Sequence, residues 1–171
     1  EPNGADLGRD GVWPGFARRI ADRVIESRAG LETPLLLSPD RWARAERAEE
    51  LDAALAPGGV TVLHDYDPWA YTHQEGGGVR FDPAGPEPVI AGGGDTAVLE
   101  FGAVRRAPEI ERYLQSRIDA FERAGANWSV FRWTSGWAPY ERQEGAMAVS
   151  EHERALGVLR SAWRRNSARP A

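Results

Sequence analysis

The 171 residues suffice for one domain with a true apolar core, and a 42% hydrophobic and 27% charged composition is ordinary for a globular protein. A formal net charge of -5 leaves no basic footprint for nucleic acid or an anionic membrane, and Arg164, Arg165 and Arg169 make only a short basic tail. The absence of cysteine removes disulfide and thiolate chemistry, and no stretch is long and apolar enough to span a bilayer.

The chain opens at Glu1-Pro2-Asn3-Gly4 with no methionine and no strand ahead, which reads as processing, truncation or a cut from a longer chain. Trp13 to Arg28 follows as an amphipathic helix, with Phe16, Ile20 and Val24 spaced by four and Gly30 ending it. Leu35 to Leu37 is a short buried strand after Pro34, stopped by Ser38-Pro39-Asp40. A second helix is expected from Arg41 to Leu55, with Trp42, Ala45, Ala48, Leu51 and Leu55 inward and Pro57-Gly58-Gly59 ending it. Val60 to Leu63 is the next strand and runs into His64-Asp65-Tyr66-Asp67-Pro68. From Trp69 to Asp95 the chain is rich in glycine and proline without helical period, too long for a mere connector, so it is either a functional loop or a mobile one.

Ala97 to Leu99 forms the third strand, ending in Glu100-Phe101-Gly102. Pro108 stands where a first-turn proline belongs, and Ile110, Leu114, Ile118 and Phe121 stripe the helix that Gly125 ends. Trp128 to Phe131 is the fourth strand, leaving through Arg132-Trp133-Thr134-Ser135-Gly136-Trp137. The last helix begins at Ser150, which has capping-box spacing to Glu153, and buries His152, Leu156, Leu159 and Trp163. Short apolar strands alternating with amphipathic helices imply an α/β fold with a parallel sheet. Two architectures fit, a small open sheet or consecutive units of a (β/α)8 barrel. Length favours the first, since a full barrel takes roughly 250 residues. Chemistry favours the second, because polar and aromatic groups gather at the carboxyl ends of successive strands.

A glutamate ending a buried strand is badly placed for packing and well placed for chemistry. Retaining glycoside hydrolysis needs two carboxyl groups about 5–5.5 Å apart, one to attack the anomeric carbon and one to protonate the leaving oxygen and then activate water. Glu100 is the candidate nucleophile, kept ionised by hydrogen bonds from neighbours such as Tyr66. His64 and Tyr66, two apart on one strand, face the same side and can serve one pocket. Trp133 is the candidate sugar platform, since sugar C–H faces pack on an indole, and Trp137 and Trp69 are further candidates. His73 and Gln74 either hydrogen-bond sugar or tie down the loop. Asp65 and Asp67 read as turn formers or supporting acceptors. No metal site is expected, as His64, His73 and His152 lack ligand spacing, and no cofactor is implied, as Gly92-Gly93-Gly94 opens no helix. A Ser-His-Asp triad lacks its G-x-S-x-G elbow.

Three blocks carry a resemblance: Leu63 to Gln74 (LHDYDPWAYTHQ), Leu99 to Gly102 (LEFG) and Asn127 to Trp133 (NWSVFRW). Together they resemble the carboxyl half of glycoside hydrolase family 5, the cellulase family. The resemblance implies a (β/α)8 TIM-barrel fold of which residues 1–171 supply one partial barrel domain, about strands 5 to 8, and a retaining hydrolase of β-glycosidic bonds, an endo-glucanase or mannanase. It assigns His64 and Tyr66 to the His-x-Tyr of the sixth strand, Glu100 to the nucleophile and Trp133 to the subsite tryptophan. Glu1-Pro2 matches the end of the family's Asn-Glu-Pro motif, which makes Glu1 the implied acid/base. The partners implied are a carbohydrate and the missing amino-terminal half of the barrel; localisation stays open between secreted and cytoplasmic, a polysaccharide substrate slightly favouring secretion. Strands one to four of the family barrel are absent, with the asparagine before the acid/base and the arginine near the nucleophile. Three other readings stay open: a non-catalytic carbohydrate-binding relative using Trp133 and Trp137, an inactive fragment of such an enzyme, and a small open-sheet α/β protein of other function.

Overall fold

A computed structural model describes residues 2–3, 11–27, 34–51, 59–90, 95–132, 136–137, 141–143, 146–148 and 153–166. Their contacts divide into two compact units, one drawn from residues 1–65, 89–99 and 124–128, the other from 66–88, 100–123 and 129–171.

The first unit holds a four-stranded sheet of β1 (Leu36–Leu37), β2 (Val60–Asp65), β3 (Asp95–Phe101, to Leu99 in this unit) and β4 (Asn127–Trp128), in that spatial order. β1 pairs with β2 in parallel, Leu36 opposite Val60, and β3 pairs with β4 in parallel, Ala97 opposite Asn127. The expected parallel α/β sheet is therefore present, with strand order following chain order as successive βα units require. Thr61, Val62, Leu63, Ala97 and Val98 are buried at its centre.

Helix α1 (Val12–Ser27) packs Ala17 and Ala21 into a small core with Leu37 and Leu51, joined by Trp13 and Leu35. Trp13 Nε1 donates to Ser38 O at 2.8 Å, fixing the helix to the chain leaving β1. The inward face is thus the alanine row rather than the row of Phe16, whose ring is 47% exposed. Small side chains let the helix axis approach closely, and Trp13 supplies the volume. β1 is buried on one side only, at Leu37.

The long second helix is replaced by a tight turn, α2 (Asp40–Ala43), and a 3-10 helix over Ala45–Leu51. Arg41, Trp42 and Ala43 have positive φ of 57°, 58° and 61°, where a right-handed helix cannot pass. The Arg41 N–H donates to Asp40 Oδ1 at 2.8 Å and the Trp42 N–H to Pro2 O at 3.0 Å, partners that offset the cost of that conformation. Trp42 is 50% exposed instead of inward, while Ala48 and Leu51 are buried as the stripe required. Leu55 and the Pro57-Gly58 part of the stop lie outside the described residues.

In the second unit, α4 (Ile110–Arg123) buries Ile110, Leu114, Ile118 and Phe121, as the stripe predicts, with Tyr113, Arg117 and Ala120 beside them. Side chains of this size contribute about 1.5–3 kcal/mol each on burial. Pro108 precedes the helix by two residues instead of opening it. Helix α5 (Glu153–Asn166) packs on α4, burying Leu156 and Leu159 with Ala155 and Ala162. Trp163 lies at the edge of that face, half-exposed instead of inward. Ser150 and His152 lie outside the described residues. A hairpin of β5 (Glu141–Gln143) and β6 (Ala146–Ala148), antiparallel, is not among the elements expected from the sequence. The expected fourth strand is shorter, since residues 129–131 leave the sheet after Trp128.

The glycine-rich loop is pinned at several points. Phe81 is buried against Tyr71 and Tyr113, with ring centroids at 5.5 and 5.6 Å. Arg80 pairs with Glu109 at 3.2 Å, and Glu87 with Arg123 at 3.1 Å. Buried Arg117 on α4 donates to Asp67 O at 2.6 Å, fastening the start of the segment that leads into the short helix α3 (Trp69–Thr72).

Candidate active site

Glu100 is the penultimate residue of β3, one position inside the strand rather than beyond its end. Tyr66 Oη donates to Glu100 Oε2 at 2.8 Å, a short charge-assisted bond that sets the plane of the carboxylate.

Aromatic rings surround the tyrosine. The Tyr66 ring meets His73, Trp137 and Phe131 edge to face at centroid distances of 5.4, 5.6 and 6.0 Å. Phe131 and Trp137 meet at 6.0 Å, and His73 and Trp137 at 4.8 Å. The His73 imidazole lies flat on the Trp69 indole, 3.3 Å between centroids and 13° between planes. Trp69 is 59% exposed, so part of the indole is an accessible apolar surface. Burial pushes the His73 pKa down, opposed by a hydrogen bond to the Trp69 carbonyl, so the ring is neutral at pH 7.

Backbone bonds hold these pieces in register. The Phe131 N–H donates to Phe101 O at 2.8 Å, Val104 N–H to Thr72 O at 2.9 Å, and Arg105 N–H to Gly136 O at 2.7 Å. The chain leaving β3 is thereby stitched to the segment carrying Phe131 and Trp137 and to the end of α3. Gly102 is needed for this approach, because an added Cβ would collide with the Phe131 carbonyl oxygen.

Gln74 is committed to the loop. Its Nε2 donates to Tyr71 O and Val79 O, both at 2.9 Å, and its Oε1 accepts from the Val79 N–H at 2.8 Å. Tyr71 donates its hydroxyl to Pro108 O at 2.9 Å, and burial with nearby Glu111 and Glu109 pushes its pKa up, so it remains a donor.

His64 lies half-buried on β2, in the sheet unit, and Tyr66 stands one residue beyond the end of that strand. Glu1 and Trp133 lie outside the described residues. The structure thus brings Tyr66, Glu100, Trp69, His73 and Trp137 together. Phe131 and Thr72 complete the group without having been singled out in the sequence. A phenylalanine two residues before a tryptophan draws no attention, and a lone threonine has no motif. Among the described residues no group of three or more His, Asp or Glu side chains could hold a metal ion, and no helix is long and apolar enough to cross a membrane.

No protein-family model matches the chain, and no curated protein matches it. Among solved structures it is similar to a hyperthermophilic endo-β-1,4-glucanase in complex with substrate, with a TM-score of 0.64 and 16% identity over 84% of this chain and 55% of that one. It is similar to endoglucanase Cel5A of Pseudomonas stutzeri, with a TM-score of 0.61 and 17% identity over 87% of this chain and 51% of that one. Cel5A of Thermotoga maritima in complex with mannotriose gives 0.64 and 13% over 85% of this chain and 55% of that one. The chain spans about half the length of these structures and has the fold of a partial (β/α)8 barrel, the expected class.

Proposed function

We propose that the chain is the carboxyl-terminal part of a retaining β-glycosidase of the family 5 type, with Glu100 as its nucleophile. The observation that carries this reading is the Tyr66–Glu100 hydrogen bond at the end of a parallel strand, inside a ring of aromatic side chains. The fold likeness to endoglucanases supports it. The substrate is a β-linked glucan or mannan, and the amino-terminal half of the barrel is the structural partner.

In the first step a Glu100 carboxylate oxygen bonds to the anomeric carbon as the glycosidic C–O bond breaks, and Glu1, the assigned acid/base, gives its proton to the leaving oxygen. Tyr66 holds Oε2, which aims Oε1 at the carbon. In the second step Glu1 takes a proton from water, the water oxygen bonds to the anomeric carbon, and the Glu100 ester is released as carboxylate. Tyr66 stabilises the charge returning to Oε2. The resemblance to family 5 gives His64 a catalytic role as well. Trp69, Trp133 and Trp137 supply apolar surface for sugar rings, and His73 hydrogen-bonds the sugar. Gln74 shapes that surface by holding residues 74–79.

Glu100→Gln tests the reading. It removes the nucleophile with little change in volume, so hydrolysis of β-glucan by the chain together with its amino-terminal half is expected to vanish while oligosaccharide binding survives. Full turnover by Glu100→Gln would overturn it. The exposed Trp69 surface favours one alternative, a binding relative without catalysis. That alternative is distinguished by sugar binding without turnover in the unsubstituted chain together with its amino-terminal half.

A further inference from the structure

Thr72 ends α3 and is fully buried. Its hydroxyl faces three carbonyl oxygens, Tyr66 O at 2.6 Å, Trp69 O at 3.3 Å and Pro68 O at 3.4 Å, and lies 2.8 Å from His73 Nδ1. A hydroxyl has one proton to give. Two oxygens 2.6 Å apart repel unless a proton lies between them, so the Thr72 proton goes to Tyr66 O. The short contact to Nδ1 is then a bond only if the imidazole donates. Neutral His73 is therefore the Nδ1–H tautomer, and its lone pair is on Nε2.

We propose that Thr72 is a positioning residue that fixes this tautomer, so that His73 Nε2 accepts a hydrogen bond from a hydroxyl of a sugar lying against the Trp69–His73–Trp137 group. The role of the sugar rests on the glycosidase reading above, whereas the tautomer does not. The imidazole cannot exchange its nitrogens by turning over, because Trp69 covers one face and Trp137 stands 4.8 Å from it. An acceptor nitrogen selects for a ligand that donates, which a sugar hydroxyl does and an ether or carbonyl oxygen does not. The same Thr72 bond holds the backbone of Tyr66, whose hydroxyl orients Glu100. One buried hydroxyl thereby sets both the sugar contact and the seat of the proposed nucleophile's partner.

The test is nitrogen-15 NMR of His73 in the full chain above its pKa, alongside cellotetraose titrations of wild type, Thr72→Val and Thr72→Ser. In wild type the pattern of a protonated Nδ1 and a bare Nε2 is expected. Thr72→Val keeps the shape and removes the nearer acceptor, leaving the Trp69 carbonyl to compete for the ring N–H, so the ring is expected to shift partly toward Nε2–H and cellotetraose binding to weaken by up to about fivefold, the value of one ordinary hydrogen bond. Thr72→Ser restores both. A wild-type pattern of protonated Nε2 overturns the proposal without recourse to any variant. So does a valine variant that keeps the wild-type pattern. A tautomer shift with unchanged cellotetraose affinity overturns the acceptor role. No cellotetraose binding in wild type, with the tautomer as expected, overturns the acceptor role toward a β-glucan and leaves Thr72's control of the ring intact.

Discussion

Gly102→Ala isolates the packing on which the site depends. The added Cβ would meet the Phe131 carbonyl oxygen at a separation no real contact shows, and the obstacle is backbone. It cannot yield freely, because the Phe131 N–H is bonded to Phe101 O at 2.8 Å, on the residue preceding the glycine. Overpacking of this kind costs about 1–3 kcal/mol, and loss of the Phe101–Phe131 bond adds about 1 kcal/mol. The variant is therefore expected to lose about 2–4 kcal/mol of unfolding free energy in urea titrations, a large share of the about 5–15 kcal/mol typical of a domain. The displaced Phe131 ring lies 6.0 Å from both Tyr66 and Trp137, so oligosaccharide affinity falls as well. Gly157 in α5 is the control, since a Cβ added there would meet nothing within 4 Å, and Gly157→Ala is expected to stabilise by about 0.5–1 kcal/mol. A Gly102→Ala protein as stable as wild type would refute the close approach of the two segments.

Tyr66→Phe removes the donor to Glu100 Oε2 and is expected to lower turnover of the completed enzyme about ten- to a hundredfold, since a hydrogen bond to a charged group is worth about 1.5–3 kcal/mol. Steady-state kinetics with unchanged turnover would contradict it. Arg117→Met leaves Asp67 O without its buried guanidinium donor, and urea unfolding is expected to show a loss of about 1–3 kcal/mol. His73 has a pKa lowered from its ordinary 6.5 by burial, so the unfolded chain binds more protons than the folded one between that value and the depressed one. Its contribution to stability therefore falls as pH drops through that window, and His73→Gln is expected to flatten the slope in urea titrations across pH. Parallel slopes would contradict the assignment.

The elements that could be read in advance are those whose periodicity and packing agree. In α4, Ile110, Leu114, Ile118 and Phe121 carry an unbroken stripe, and all four are buried. Glu100 stands out because a carboxylate near the end of an apolar strand conflicts with packing, and Gly102 two residues on reflects the close backbone of Phe131. Trp42 misled, because it fits a helical stripe while its backbone, held by Asp40 and Pro2, is left-handed. In α1 the alanine row was hidden by larger apolar neighbours, although small residues are what close packing takes. β5 and β6 left little trace, since Glu141-Arg142-Gln143 has no apolar alternation. Thr72 was invisible because its part depends on which carbonyls surround one hydroxyl. Trp133 and Glu1 stand out as chemistry and both fall outside the described residues; among the described ones Phe131 meets Tyr66.

The most direct test of Glu100 as nucleophile is covalent capture, read by mass spectrometry of peptides. A dinitrophenyl β-cellobioside with fluorine on the carbon beside the anomeric centre slows both chemical steps, and its leaving group departs without a proton, so the first step does not depend on Glu1. The expected result is one fluorocellobiosyl group on the peptide containing Glu100, absent from Glu100→Gln. A label on another carboxylate, or hydrolysis of the reagent with no label on Glu100, would contradict the assignment.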